Sequence, residues 1–366
     1  MTIVEELAHK ERRIYDFLKR EDLDGLLLSK HANFAWITCG GSNHVAVNTD
    51  VGVASALITG AGKWIICDNI EAHRVMQEEA AALEFECESF NWYDDGFAGA
   101  LRRFAPAARI ASDTGRASTR NVEARLGELR ASLLPDELER YRRLGALAAE
   151  SMTEACRRVE PGMSEHAVAS VLGGEVMARG AFPVVLLVAA DERAFTYRHP
   201  IPTDKRVMAH VMLVLCARKW GLIVSITRLV HFGPLPAELR RKHDAVTQVD
   251  AAFIANTVPG TRIGDVFDHA VAAYANAGFP DEWRLHHQGG PTGYVGREFR
   301  ATGRSDQIVV ESQAFAWNPS IAGTKSEDTI VAFAAGPEVL SATPDLPATS
   351  VASAGRVLLR PDIVVK

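Results

Sequence analysis

Cysteine is scarce and scattered. The five in 366 residues (Cys39, Cys67, Cys87, Cys156 and Cys216) are odd in number and form no Cys-x-x-Cys pair. That pattern excludes a disulfide framework and a structural zinc site. Long apolar runs are missing as well. The richest, 184–190 and 211–217, fall far short of the roughly 20 residues a membrane helix needs and read as buried strands. Residues 1–13 alternate charged and apolar side chains, with no core of signal-peptide type. Nor is there a surplus of positive charge: Lys+Arg 40 against Asp+Glu 46 gives −6 and a pI near 6.1. A binder that works by broad phosphate neutralisation is therefore not expected. These absences lead us to expect a cytoplasmic protein with neither a nucleic-acid nor a membrane partner. A small basic pocket would be invisible in the charge total.

What remains is ordinary globular material, 47% hydrophobic and 23% charged, in a chain long enough for two domains. The first third alternates strand and helix signals: apolar runs at 25–28, 51–57, 63–67 and 108–112, with helical stretches at 70–83 and 120–133. Such alternation indicates an α/β domain. Pro135, followed by Asp136 and Glu137, suits the first turn of a helix. We place the domain boundary there, giving domains 1–134 and 135–366.

The second domain carries an internal repeat. Pro161-Gly162 opens an apolar-faced helix that ends before Phe182-Pro183, and Pro259-Gly260 opens another that ends before Phe279-Pro280. Ser164 and Thr261 are candidate N-caps, and Gly180 and Gly278 candidate left-handed ends. Each copy leads towards histidine: Arg198-His199-Pro200 in the first, His286-His287 in the second. Two such units suggest pseudo-twofold halves around one cleft.

At these residues the chain resembles the creatinase, prolidase and aminopeptidase P superfamily, whose catalytic domain has the pita-bread fold. The resemblance rests on stretch 33–40 (Asn-Phe-Ala-Trp-Ile-Thr-Cys-Gly), both Pro-Gly helices, Arg198-His199-Pro200 and Thr227-Arg228. It continues through His286-His287-Gln-Gly-Gly290, Asn318-Pro319 and Glu327-Asp328-Thr329. It implies a creatinase-like α/β N-terminal domain followed by an α+β pita-bread domain, in a homodimer. Most members hold two divalent metals with two aspartates, a histidine and two glutamates. Here the aspartate positions fall on Val214 and Ser225, and one glutamate position on Asn318; Glu327 and one of His286/His287 remain. Valine offers no donor, and serine and asparagine offer neutral ones, whereas hard divalent ions need anionic oxygens. We therefore expect no metal ligands and no cofactor.

Creatinase, which works without metal through a histidine acid/base, is the relative this pattern favours. The expectation is a metal-independent creatinase-like hydrolase cleaving a C–N bond of a small polar nitrogen compound. His199 would be the acid/base, with Glu327 and His286 or His287 orienting substrate or water. The run Gly296-Arg297-Glu298, shared with creatinase, favours His286; a His-x-x-Gly register to Gly290 favours His287. On a strand the two would face opposite ways, so one alone should enter the cleft. Asn318, Arg228, Tyr294, Arg297 and Glu298 are candidate substrate contacts. Arg228 could instead form a structural pair with Glu327. An Xaa-Pro metallopeptidase, a non-catalytic binding module on the same fold, and a lyase or isomerase are the alternatives.

Overall fold

Gly25–Lys30 opens with the apolar run 25–28 and is buried on both faces through Ser29, which suits an interior strand. In the computed structural model, which describes residues 2–94 and 96–366, this strand (β1) is central to a six-stranded sheet. The others are β2 (Val51–Thr59), β3 (Gly62–Asp68), β4 (Glu86–Phe90), β5 (Ile110–Ser112) and β6 (Arg120–Asn121), in the order β4-β3-β2-β1-β5-β6. β1 runs antiparallel to β2 and parallel to β5. Leu27, Leu57, Ile66, Phe97, Leu101 and Ile110 form the core beneath it. The 33–40 stretch contributes the helix His31–Ile37. Its Asn33 amide donates to Asp113 Oδ2 at 3.0 Å, beside the backbone N–H of Ser29 and Lys30, which the same carboxylate accepts. In this unit the motif is structural.

The chain forms two compact units, 1–137 with Trp220–Leu222, and 138–219 with 223–366. The helix Pro135–Arg158 leads into the second. That unit is built twice over. The first half has the helix Glu165–Ala178 and strands β7 (Phe182–Ala190), β8 (His210–Lys219) and β9 (Leu222–His231). The second half has the helices Ala237–Asn256 and Ile263–Asn276, and strands β10 (Gly289–Pro291), β11 (Gln313–Trp317), β12 (Ser320–Ile321), β13 (Thr324–Lys325) and β14 (Asp328–Ala332).

Hydrogen bonds repeat with the elements. Gly162 N donates to Val207 O at 2.7 Å and Gly260 N to Val309 O at 2.9 Å; the return bonds, Val207 N to Met163 O and Val309 N to Thr261 O, are both 2.9 Å. Gly162 and Gly260 have φ of +89° and +91°, the left-handed region where only glycine escapes the Cβ clash. The pseudo-twofold architecture of the pita-bread domain is thus visible bond by bond. One local expectation is corrected. Ser164 caps its helix by accepting from Ala167 N, but Thr261 does not: Arg262 is the N-cap residue of the second helix, without a side-chain cap bond. The Thr261 backbone is drawn into the pairing with Val309.

The halves meet edge to edge where β9 faces β14. Thr227 N donates to Glu327 O at 3.2 Å, and Ser225 N to Thr329 Oγ1 at 2.8 Å. Among the described residues no helix is long and apolar enough to cross a membrane.

Candidate active site

The β7 to β8 connection, residues 191–209, does not run straight. It makes the short helix Glu192–Thr196 and then a loop that carries His199, exposed. In the second half a short helical turn, Glu282–Leu285, ends just before His286, and strand pairing begins only at Gly289. Gly289 has φ +101°, and a Cβ there would lie 2.2 Å from Ala316 O, so glycine is required for this close entry into β10. Because His286 and His287 precede the strand, the alternation expected of them does not apply. Both rings converge on His199. The ring centroids are 4.8 Å apart for His199–His286, 5.6 Å for His199–His287 and 4.7 Å for His286–His287.

Each imidazole is held differently. His286 is buried, with Nδ1 3.1 Å from Ser320 Oγ and Nε2 3.1 Å from His199 Nε2. Its backbone carbonyl accepts from Gln288 Nε2 at 2.6 Å, while Gln288 Oε1 accepts from Tyr274 OH. Ser320 Oγ also accepts from Arg198, which pairs with Glu282. His287 is half-buried, and its Nδ1 is a buried atom with no hydrogen-bond partner among the described residues. Burial, then the Lys325 ammonium and the neighbouring imidazoles, hold the His286 pKa down to about 2. Burial and Arg297 hold His287 to about 4. Burial lowers His199 too, with Lys325 assisting and Glu327 opposing.

Glu327 is buried at the start of β14. Its Oε2 pairs with Lys325 Nζ at 2.6 Å and accepts from Thr227 Oγ1 at 2.6 Å. Asn318 is buried after β11, its Oδ1 without a partner among the described residues. Arg297 is half-buried and donates to Gly290 O and Ala316 O. Tyr294 is buried, and Glu298 is half-buried with its N–H on Pro291 O. Cys216 Sγ lies 3.2 Å from Ser225 Oγ, and burial pushes its thiol up to about 11, which disfavours the nucleophilic thiolate.

Arg228 is corrected. It neither clamps a substrate nor pairs with the Glu327 carboxylate. Fully buried, it spends its donors on Asp328 Oδ1 (2.9 Å), Thr343 Oγ1, and the carbonyls of Thr227, Glu327 and Ser341. Asp328 is also bound by Arg360, which pairs with Asp250. This buried network ties β9 to β14.

The sequence reading missed Lys325, Ser320, Gln288 and Tyr274. Lys325 sits in a Lys-Ser-Glu-Asp run whose charge mimics a solvated turn. No local pattern marks it as buried.

The dinuclear centre implied by the superfamily does not fit these residues. Val214 packs among Ala189, Met212 and Leu229 and supplies no donor. Ser225 and Asn318 are neutral, and the Glu327 carboxylate already pairs with an ammonium. What the fold assembles instead is one nitrogen from each of His199, His286 and His287, all within 4.8 Å of one another, a donor set not foreseen when no metal ligand was assigned.

Comparison with known proteins gives the fold and the family. The model of metallopeptidase family M24 matches residues 139–334. The prolidase from Pyrococcus horikoshii OT3 is 20% identical, with a TM-score of 0.78 over 91% of this chain and 98% of that one. The Xaa-Pro dipeptidase from Bacillus anthracis is 16% identical, with a TM-score of 0.77 over 98% and 100%. The N-terminal domain of the FACT complex subunit SPT16 from Cicer arietinum is 13% identical, with a TM-score of 0.71 over 93% and 96%. No protein of curated function matches. These findings overturn the expectation of a metal-independent creatinase-like hydrolase, because the family model is that of a metallopeptidase and prolidases and an Xaa-Pro dipeptidase stand among the neighbours. The repeated halves, the sheet order and the family match agree: this chain belongs to metallopeptidase family M24, within the creatinase, prolidase and aminopeptidase P superfamily.

Proposed function

We propose that the chain hydrolyses the peptide C–N bond of short peptides of the Xaa-Pro class, at the cluster of His199, His286 and His287. The observation that carries this is the convergence of three imidazoles from two halves of the fold, with His199 Nε2 and His286 Nε2 3.1 Å apart. The substrate class follows the names of the prolidase and Xaa-Pro dipeptidase that share the fold.

The three rings divide the work by their surroundings. His286, held to about 2, is the neutral imidazole near neutrality. It serves as a fixed partner, its ring set by Ser320 and its backbone by Gln288. His199 is the exposed ring, so it is the member of the cluster that meets the substrate and the attacking water. Lys325, Arg297 and Arg300 set a positive field around the cluster, which favours the negative charge that develops on the scissile carbonyl oxygen. No step is assigned to a dinuclear centre, because its donors are missing.

The test is release of free proline from Ala-Pro and Gly-Pro by the purified chain, compared with His199→Ala. Turnover by the wild type and a loss of about 100-fold or more in kcat, at unchanged circular dichroism, is the expected result. Equal rates in the variant would remove His199 from the reaction. Tight binding of the dipeptide with no conversion would make the cleft a binding site instead.

A further inference from the structure

From the same cluster we infer that His199, His286 and His287 form a mononuclear site for one borderline transition-metal ion of the zinc type, in place of two hard ions held by carboxylates. Three observations carry it.

The first is the donor chemistry. Imidazole nitrogen suits zinc, copper, iron and nickel, whereas magnesium, calcium and manganese need carboxylate and water oxygen. The carboxylates of the superfamily pattern are gone at Val214, Ser225 and Asn318. Glu327, which remains, is occupied by Lys325 at 2.6 Å and Thr227 at 2.6 Å. Three imidazoles with a fourth position open are a recognised catalytic zinc set.

The second is geometry. Tetrahedral coordination with metal–nitrogen bonds of about 2.0–2.1 Å puts ligand nitrogens about 3.3 Å apart. The His199 Nε2–His286 Nε2 pair stands at 3.1 Å, and all three donors lie within 4.8 Å. That pair is already close to the required spacing, so the adjustment still needed is the approach of the half-buried His287 to it.

The third is the supporting shell. A metal-binding imidazole commonly donates its other N–H to a fixed acceptor. His286 Nδ1 meets Ser320 Oγ at 3.1 Å, and Ser320 is itself fixed by its backbone N–H on Tyr274 OH at 2.9 Å. The nearby cations have partners of their own. Lys325 pairs with Glu327, Arg198 with Glu282, and Arg297 donates to two backbone carbonyls. An ion at the three rings would therefore sit beside cations held in fixed positions, which favours an anionic ligand such as hydroxide or carboxylate at its open position.

The experiment titrates Co2+, as a spectroscopic stand-in for Zn2+, into the full chain stripped with chelator. Visible ligand-field absorption of tetrahedral strength is expected to saturate at one equivalent and to be displaced by one equivalent of Zn2+. Mn2+ and Mg2+ should not compete. His286→Ala and, separately, His199→Ala should abolish the band. The exposed position of His199 keeps the second variant informative if the first fails to fold. Two equivalents, weak octahedral absorption, or a band that survives His199→Ala would overturn the site, as would no band at all. The readout is spectral, so a chain that binds cobalt but cleaves no Xaa-Pro peptide refutes the proposed reaction alone, and a chain that cleaves without binding refutes this site alone.

Discussion

Lys325 and Glu327 are 3% and 2% exposed, and their charges meet at 2.6 Å. An ammonium here takes the position of a cation against the one surviving acidic residue of the superfamily pattern. Removing one member of a buried pair leaves the other charge without compensation, which costs about 3–5 kcal/mol, whereas replacing both with apolar groups is often neutral. Lys325→Met should therefore lower the unfolding free energy by about that amount. Lys325→Met combined with Glu327→Leu should recover most of it. Denaturant midpoints check this, and a double variant as unstable as the single would show that the pair is not the origin of the loss. The burial of Lys325 and its pairing with Glu327 were not legible in the sequence. A Thr-Lys-Ser-Glu-Asp run looks like a solvated turn, and only the strand pairing of β12 with β13 takes it inside. Arg228 was obscured for the same reason. Its partner Asp328 lies 100 residues away, beyond any local pattern.

Between elements, two histidines lock β8 and the helix Ala237–Asn256 to the β12–β13 turn. His210 Nε2 donates to Gly323 O at 3.0 Å, and His243 bonds Thr324 Oγ1 at 2.7 Å and Pro361 O at 3.0 Å. Both are buried. Burial holds His210 to about 4, and its Nδ1 has no partner among the described residues. Its unfolded pKa is about 6.5, so below that pH the unfolded chain binds the proton and the folded chain does not. The contribution of His210 to stability is thus fully present above about pH 6.5 and is lost as pH falls towards 4, at about 1.4 kcal/mol per unit. Unfolding free energies measured from pH 7 to 4 should show a shallower decline for His210→Gln than for the wild type. An identical slope would contradict this. The repeat itself was legible, because Pro-Gly followed by a helix is set by local sterics, and both glycines take φ near +90°. The orientation of His286 and His287 was not. A period-two argument needs a strand, and pairing begins at Gly289.

At the scale of the molecule, the α/β unit and the repeated pita-bread unit were both readable from alternation and punctuation. The chemistry was read less well. Loss of Asp, Asp and Glu is visible in sequence, but a replacement centre built from both halves requires the fold that brings residues 199 and 286 together. The central claim is that the three imidazoles act as one unit. The most direct measurement is kcat/KM on an Xaa-Pro dipeptide for the wild type, His199→Ala, His286→Ala and the double variant. Groups that act together lose their effect together. The account predicts that each single variant loses most of the activity and that the double variant loses no more than the worse single one. Losses that multiply, or a His286→Ala variant with wild-type turnover, would contradict it.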